Sequence, residues 1–281
     1  VKRLLVAAAV AATLALAATR LPAADAPKAK LQSLALGQGS NIVLIHGLGG
    51  GRLGWMPTAR KLFGKHRVVM VDLPGHGETG LADPFSLDAA AEALTATLAT
   101  MRGDSTIVVG QGVGGLLAIK ALSARPELAK GLIVIDTGIR FESPVPDQQQ
   151  RMFIDFMDEN YDQFLKMMFG QQGRDSAQNV VLHAQASKVP PATIKAFVRQ
   201  LLNSDATREL KALKRPLLFV GTEKRWPADK DWAALAKPLG YEGIPVQTRR
   251  IAGTGPLIAT EQPDSLAAAI EGFSAQALAK P

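Results

Sequence analysis

The sequence of 281 residues contains no cysteine. That absence excludes a disulfide scaffold, a thiolate-ligated zinc site and a thiol nucleophile. Histidine is scarce as well: His46, His66, His76 and His183 are the only four. Their spacing offers no metal cluster, and no metal or cofactor is expected. There is no internal repeat and no low-complexity linker after residue 26. Basic residues are scattered, with small pairs at Arg60-Lys61, Lys214-Arg215 and Arg249-Arg250. No basic stripe interleaved with aromatics is present, so the net charge of +7 reads as a solvated surface rather than a nucleic-acid footprint. With 47% apolar and 20% charged residues, the chain is not disordered.

What is present begins with a leader. Lys2 and Arg3 precede an apolar stretch from Leu4 to Ala18, and Ala24-Asp25-Ala26 has the small-x-small form of a cleavage site. Residues 1–26 therefore read as a secretory signal peptide. The apolar stretch is shorter than the ~20 residues of an ordinary span, so no membrane span is expected after cleavage. No Arg-Arg pair precedes it, which points to export of the unfolded chain, and no cysteine marks a lipoprotein. The expected location is the periplasm or beyond. Residues 27–281 read as one domain.

Short β-branched runs alternate with helical patterns through that domain. Asn41–His46, Arg67–Leu73, Thr106–Gly110, Leu132–Asp136, Pro216–Gly221 and the more polar Val246–Ile251 are strand candidates. The first five are continuous apolar runs, as strands buried on both faces should be. Helices are expected near 55–64, 86–101, 113–124, 228–238 and 263–279, with Ser86 as an N-cap and Pro263 at a first helical position. This alternation predicts an α/β fold: a mostly parallel, doubly wound sheet with helices on both faces. Residues 139–210 break the pattern. Asp147–Gly170 is helical and rich in Phe and Met, 194–202 is a second helix, and no strand appears. Such an insertion is expected to form a small helical lid over the C-terminal edge of the sheet.

Three glycine-rich turns follow the first three strands: His46-Gly47-Leu48-Gly49-Gly50, Asp72-Leu73-Pro74-Gly75-His76-Gly77 and Gly110-Gln111-Gly112-Val113-Gly114-Gly115. In this order and spacing the chain resembles the α/β-hydrolase family over about residues 41 to 273. The resemblance makes the third turn a nucleophile elbow and puts the nucleophile at Gly112, which has no side chain. It puts the general base at Pro256, which cannot move a proton. It puts the acid at Lys224, with Glu223 adjacent. It also implies that the Leu48 and Val113 N–H groups occupy oxyanion-hole positions, and that His46, Gly47, Gln111 and Gly112 surround them.

The chain is therefore expected to lack Ser-hydrolase activity and to bind a small apolar or amphipathic molecule, with room for a carboxylate at the amides. Three alternatives stand beside this. One is hydrolysis or proton transfer without a triad, using Glu223, Asp136 or His46. The second is dinucleotide binding through Gly110-x-Gly112-x-x-Gly115, with Asp136 placed to meet a ribose. The third is a protein-interaction scaffold on the lid surface, its partner open.

Overall fold

The structure, a computed structural model, describes residues 30–140 and 146–279. The signal peptide read at residues 1–26 lies outside the described residues. Seven strands form one sheet in the order β1-β3-β2-β4-β5-β6-β7. They are β1 (Ser33–Leu36), β2 (Ser40–Ile45), β3 (His66–Val71), β4 (Thr106–Gln111), β5 (Gly131–Ile135), β6 (Leu217–Thr222) and β7 (Gln247–Ile251). All pairs are parallel except β1 with β3. The six anticipated strands are present. β1 was not anticipated: it is four residues long, half exposed, and too short to show a pattern.

Alternation along each strand divides the core in two. On β2, Val43 and Ile45 pack with α2 (Leu87–Leu98) and α3 (Val113–Ala124), whereas Ile42 and Leu44 pack with α1 (Met56–Leu62) and α11 (Pro263–Leu278). Because both faces are covered, every second residue is apolar on each face and the run reads as continuous. β7 is mostly exposed, which explains its polar sequence. Ser86 caps α2 by accepting the Ala89 N–H at 3.0 Å, and Pro263 opens α11. The helix expected from residue 228 begins at Trp232, where the Asp231 carboxylate accepts the Ala234 N–H at 2.8 Å and starts α9 (Trp232–Leu239); the short α10 (Ile258–Glu261) comes just before α11.

Between β5 and β6 lie five helices: α4 (Asp147–Glu159), α5 (Tyr161–Phe169), α6 (Ser176–Ala186), α7 (Pro191–Leu201) and α8 (Thr207–Ala212). The helix expected over 147–170 is two, divided at Asn160. Most of its Phe and Met residues, including Met157, Phe164 and Phe169, join Ile194 and Val198 in a core that belongs to the inserted helices.

Two glycines shape the turn between β4 and α3. Gly112 has φ +52° and ψ −120°, a conformation that L side chains rarely adopt. Its N–H donates to the Ile135 carbonyl at 2.9 Å, which ties the turn to β5. Two residues on, Gly114 lies against the β2 end: a Cβ there would stand 2.5 Å from the His46 carbonyl oxygen and 2.9 Å from that of Ile45. A Cβ at Gly112 would meet nothing nearer than the Gly47 Cα at 4.0 Å. Gly114→Ala is thus a collision with backbone, whereas Gly112→Ala costs only dihedral strain of about 1–3 kcal/mol. Urea unfolding should show the Gly114 variant as the more destabilised of the two. The reverse order would contradict this packing.

Candidate functional site

The position of the site follows from strand order. After β2 the chain moves to β3 on one side and then crosses to β4 on the other. The crevice beyond the carboxyl ends of β2 and β4 is a topological switch point, where open sheets of this kind place ligands. There a cavity of about 1480 Å³ lies between the sheet edge and the inserted helices. His46, Gly47, Leu48, Gln111, Gly112, Val113 and Pro256 all line it, so the sequence-predicted cluster is brought together. Glu223 and Lys224 are not among its lining residues. Leu116 contributes from the sheet side, and Met168, Phe169, Leu182 and Val189 from the inserted helices.

Val113 is the first residue of α3, so its N–H has no intrahelical acceptor. The Leu48 N–H has no acceptor among the described residues either. The helix dipole adds partial positive charge at the Val113 end. Gln111 turns sideways: its Nε2 donates to the Pro256 carbonyl at 2.7 Å and bridges the β4–α3 turn to the segment after β7. In that segment the Gly253 N–H donates to Glu223 Oε2 at 2.6 Å, and Arg250 lies 3.8 Å from Glu223. Lys224 is exposed, and its backbone N–H donates to the Thr254 carbonyl at 3.4 Å.

The two buried histidines are fastened at both ring nitrogens. The Leu73 N–H donates to His46 Nε2 at 3.1 Å, so the proton sits on Nδ1, which donates to the Gly47 carbonyl at 2.8 Å. The Gly49 N–H donates to His76 Nε2 at 3.2 Å, and His76 Nδ1 donates to the Pro74 carbonyl at 3.0 Å. The rings lie 5.0 Å apart and stitch the first glycine turn to the second. Burial, and then the neighbouring His76, push the His46 pKa down to about 3. Burial lowers His76 too. A neutral imidazole with both nitrogens engaged is not poised to exchange protons, so His46 is a structural member of the lining and not an acid–base group. His183 lies on α6 and His66 at the start of β3, where Ser40 Oγ is 2.7 Å from its Nδ1.

A charged cluster that the sequence reading missed braces the same turns. Asp72 accepts from the Arg52 N–H at 2.8 Å, from Arg52 Nη1 at 2.9 Å and from the Glu78 N–H at 3.2 Å. Arg52 Nη2 reaches Glu78 at 2.8 Å. The signal was present in the Asp that opens the second glycine turn and the Arg that follows the first. At the end of β5, Asp136 lines the cavity with φ +49°, unusual for a residue with a side chain. Its carboxylate accepts from the Thr222 N–H at 2.8 Å and from Thr222 Oγ1 at 2.6 Å. Burial raises its pKa, against the opposing pull of the Thr222 bonds and the Arg225 charge. Each of its oxygens thus accepts one bond from Thr222. Among the described residues no group of His, Asp and Glu could hold a metal ion, and no helix is long and apolar enough to cross a membrane.

Comparison with known proteins identifies the class. The profile of the alpha/beta hydrolase family matches residues 42–269. The chain belongs to that family. A pimeloyl-[acyl-carrier protein] methyl ester esterase of Pseudoalteromonas atlantica is 33% identical over 114 residues, 40% of this chain and 43% of that protein. The biotin biosynthesis bifunctional protein BioHC of Cellvibrio japonicus is 28% identical over 243 residues, 83% of this chain and 47% of that protein. The chain thus spans less than half the length of these relatives. Among solved structures, a hydrolase from Oleispira antarctica superposes with a TM-score of 0.73 at 19% identity, covering 88% of this chain and 96% of that one. A thermophilic esterase from Thermogutta terrifontis gives 0.72 at 22% identity, covering 88% and 93%. These two share the fold.

The buried histidines set a pH dependence. Their folded pKa values lie below the ordinary 6.5, so between about 3 and 6.5 the unfolded chain binds protons that the folded His46 does not. Stability is therefore complete above about pH 6.5 and falls as the pH drops, by about 1.4 kcal/mol per pH unit for each histidine kept neutral. Asp136, raised by burial, acts in the opposite sense at the acid end. Urea unfolding from pH 7 to pH 4.5 should show this slope, shallower by about one proton in whichever of His46→Gln and His46→Asn keeps the fold. An unchanged slope in the variant would contradict the assignment.

Proposed function

We propose that this member of the alpha/beta hydrolase family binds a small apolar or amphipathic molecule in the cavity and does not hydrolyse esters through a seryl nucleophile. One observation carries the reading. Position 112 keeps the strained elbow backbone at the head of α3 but has no side chain. The sites where the resemblance puts the other triad members support it. Pro256 offers only a carbonyl, already taken by Gln111, and Glu223 faces the Gly253 amide with no histidine to orient.

What survives is a binding site. The Leu48 and Val113 amides offer donors for a carbonyl or carboxylate oxygen. Leu116, Met168, Phe169, Leu182 and Val189 supply apolar walls. In this reading residues 139–210 act as the lid, closing the ligand off from water. Export to the periplasm or beyond, through the leader at residues 1–26, belongs to the same proposal. The curated relatives named as esterases supply the ancestral chemistry, not evidence that this chain retains it.

A second reading rests on Asp136. A positive-φ carboxyl with a raised pKa in the cavity wall is a candidate proton donor for chemistry without a triad. Turnover of p-nitrophenyl acetate and butyrate separates the two. The wild-type protein should show no rate above buffer, and the Gly112→Ser/Pro256→His double variant a gain of at least about tenfold. A wild-type rate that survives repurification would overturn the binding reading, and its loss in Asp136→Asn would establish the second.

A further inference from the structure

The cavity has a second end, away from the elbow, at the carboxyl ends of β5 and β6. Gly138, Arg140, Arg225, Ser204, Pro238 and Leu239 line it. Arg225 reaches in from the turn after β6. A Cβ on Gly138 would stand 3.6 Å from Arg225 Nη2 and 3.8 Å from Leu239 Cδ2, so the guanidinium lies over the Gly138 backbone and beside an apolar wall. Arg140 follows two residues after Gly138, its stem packed near Gly240.

Arg140 is half buried in the cavity wall and Arg225 is exposed at its rim. Arg140 Nε is buried with no hydrogen-bond partner. The Arg225 side chain has no hydrogen bond and no ion pair among the described residues. Arg52, also in the lining, is held by Asp72 and Glu78. Two carboxyls lie close to the arginine end: Asp136 accepts from Thr222 and feels the Arg225 charge, and Asp205, across a β-bridge from Arg140, accepts from the Thr207 N–H and feels the Arg140 charge; neither forms an ion pair with an arginine among the described residues. A buried donor with no acceptor is costly, as Arg140 Nε is here, and Arg225 adds at the rim a cation with no direct carboxylate partner among the described residues.

We propose that Arg140 and Arg225 form a subsite for the carboxylate of an aliphatic acid, whose chain runs along the apolar wall towards Leu48 and Val113. The inference rests on the ligand-binding reading above and narrows it from apolar molecules in general to anionic ones. A guanidinium presents a planar fork that fits a carboxylate, and its weak hydration suits a partly buried site. Leu201 and Leu239 flank the head group and the remaining cavity accepts the chain. The arginine end thus discriminates by charge, a task that backbone amides at the elbow perform weakly because they also accept neutral carbonyls.

Isothermal titration with octanoate and with octan-1-ol tests this directly. The wild-type protein should bind octanoate at least about tenfold more tightly than the alcohol, a difference of about 1.4 kcal/mol. Arg140→Gln/Arg225→Gln should erase the preference and leave octan-1-ol binding unchanged. Arg225→Lys should retain part of it, and Arg249→Gln, outside the cavity lining, all of it. High salt should weaken octanoate and not the alcohol. Equal binding of both ligands, or an octanoate affinity indifferent to the double substitution in a protein with unaltered circular dichroism, would overturn the subsite alone. Failure of both ligands to bind the wild-type protein would overturn the binding reading and the subsite with it.

Discussion

The architecture of the site depends on one close approach. The backbone at Gly114 passes so near the end of β2 that no side chain fits there, and this brings the head of α3 against the first glycine turn. The same contact brings the Leu48 and Val113 amides to one cavity and orients Gly112 towards it. Gly112 differs in kind from its neighbour. Nothing crowds its missing Cβ, so its constraint is dihedral and not steric. A glycine at that position relieves strain that any nucleophile would have to carry. The turn is therefore stable with no side chain at its apex.

Around this contact, polar groups that look catalytic in the sequence serve as braces. His46 and His76 tie the first two glycine turns together through four backbone groups, and burial keeps them neutral. Asp72 and Arg52 fasten the same two turns through charge-assisted bonds. Gln111 fastens the third turn to the segment after β7. Preorganisation of the cavity thus comes from groups that are fully committed to the protein. At the far end, Arg140 Nε and the Arg225 side chain have no such hydrogen bond among the described residues, and that contrast is what marks them out.

The sheet was legible because its central strands are buried on both faces and so lack polar interruptions. Val43 and Leu44 serve opposite cores yet read as one run. β1 was not legible, since Ser33–Leu36 gains its place by antiparallel pairing with β3 and not by a pattern of its own. The split at Asn160 was hidden because Phe and Met continue on both sides of it. α6 was hidden for another reason: Gln178 and Asn179 interrupt its apolar stripe, and Gln178 is buried only because it bonds Glu261 and the Arg174 amide. The glycine turns revealed the elbow side of the cavity. The arginine side was invisible, because Arg140 and Arg225 reach one cavity only through the pairing of β5 with β6.

On the proposed reading, the elbow holds its shape without a nucleophile. Intact-mass measurement after incubation with an alkyl fluorophosphonate, which phosphonylates an activated serine in this fold, tests it most directly. An unmodified wild-type mass and a single adduct in the Gly112→Ser/Pro256→His variant are expected. A stoichiometric adduct on the wild-type chain would contradict it.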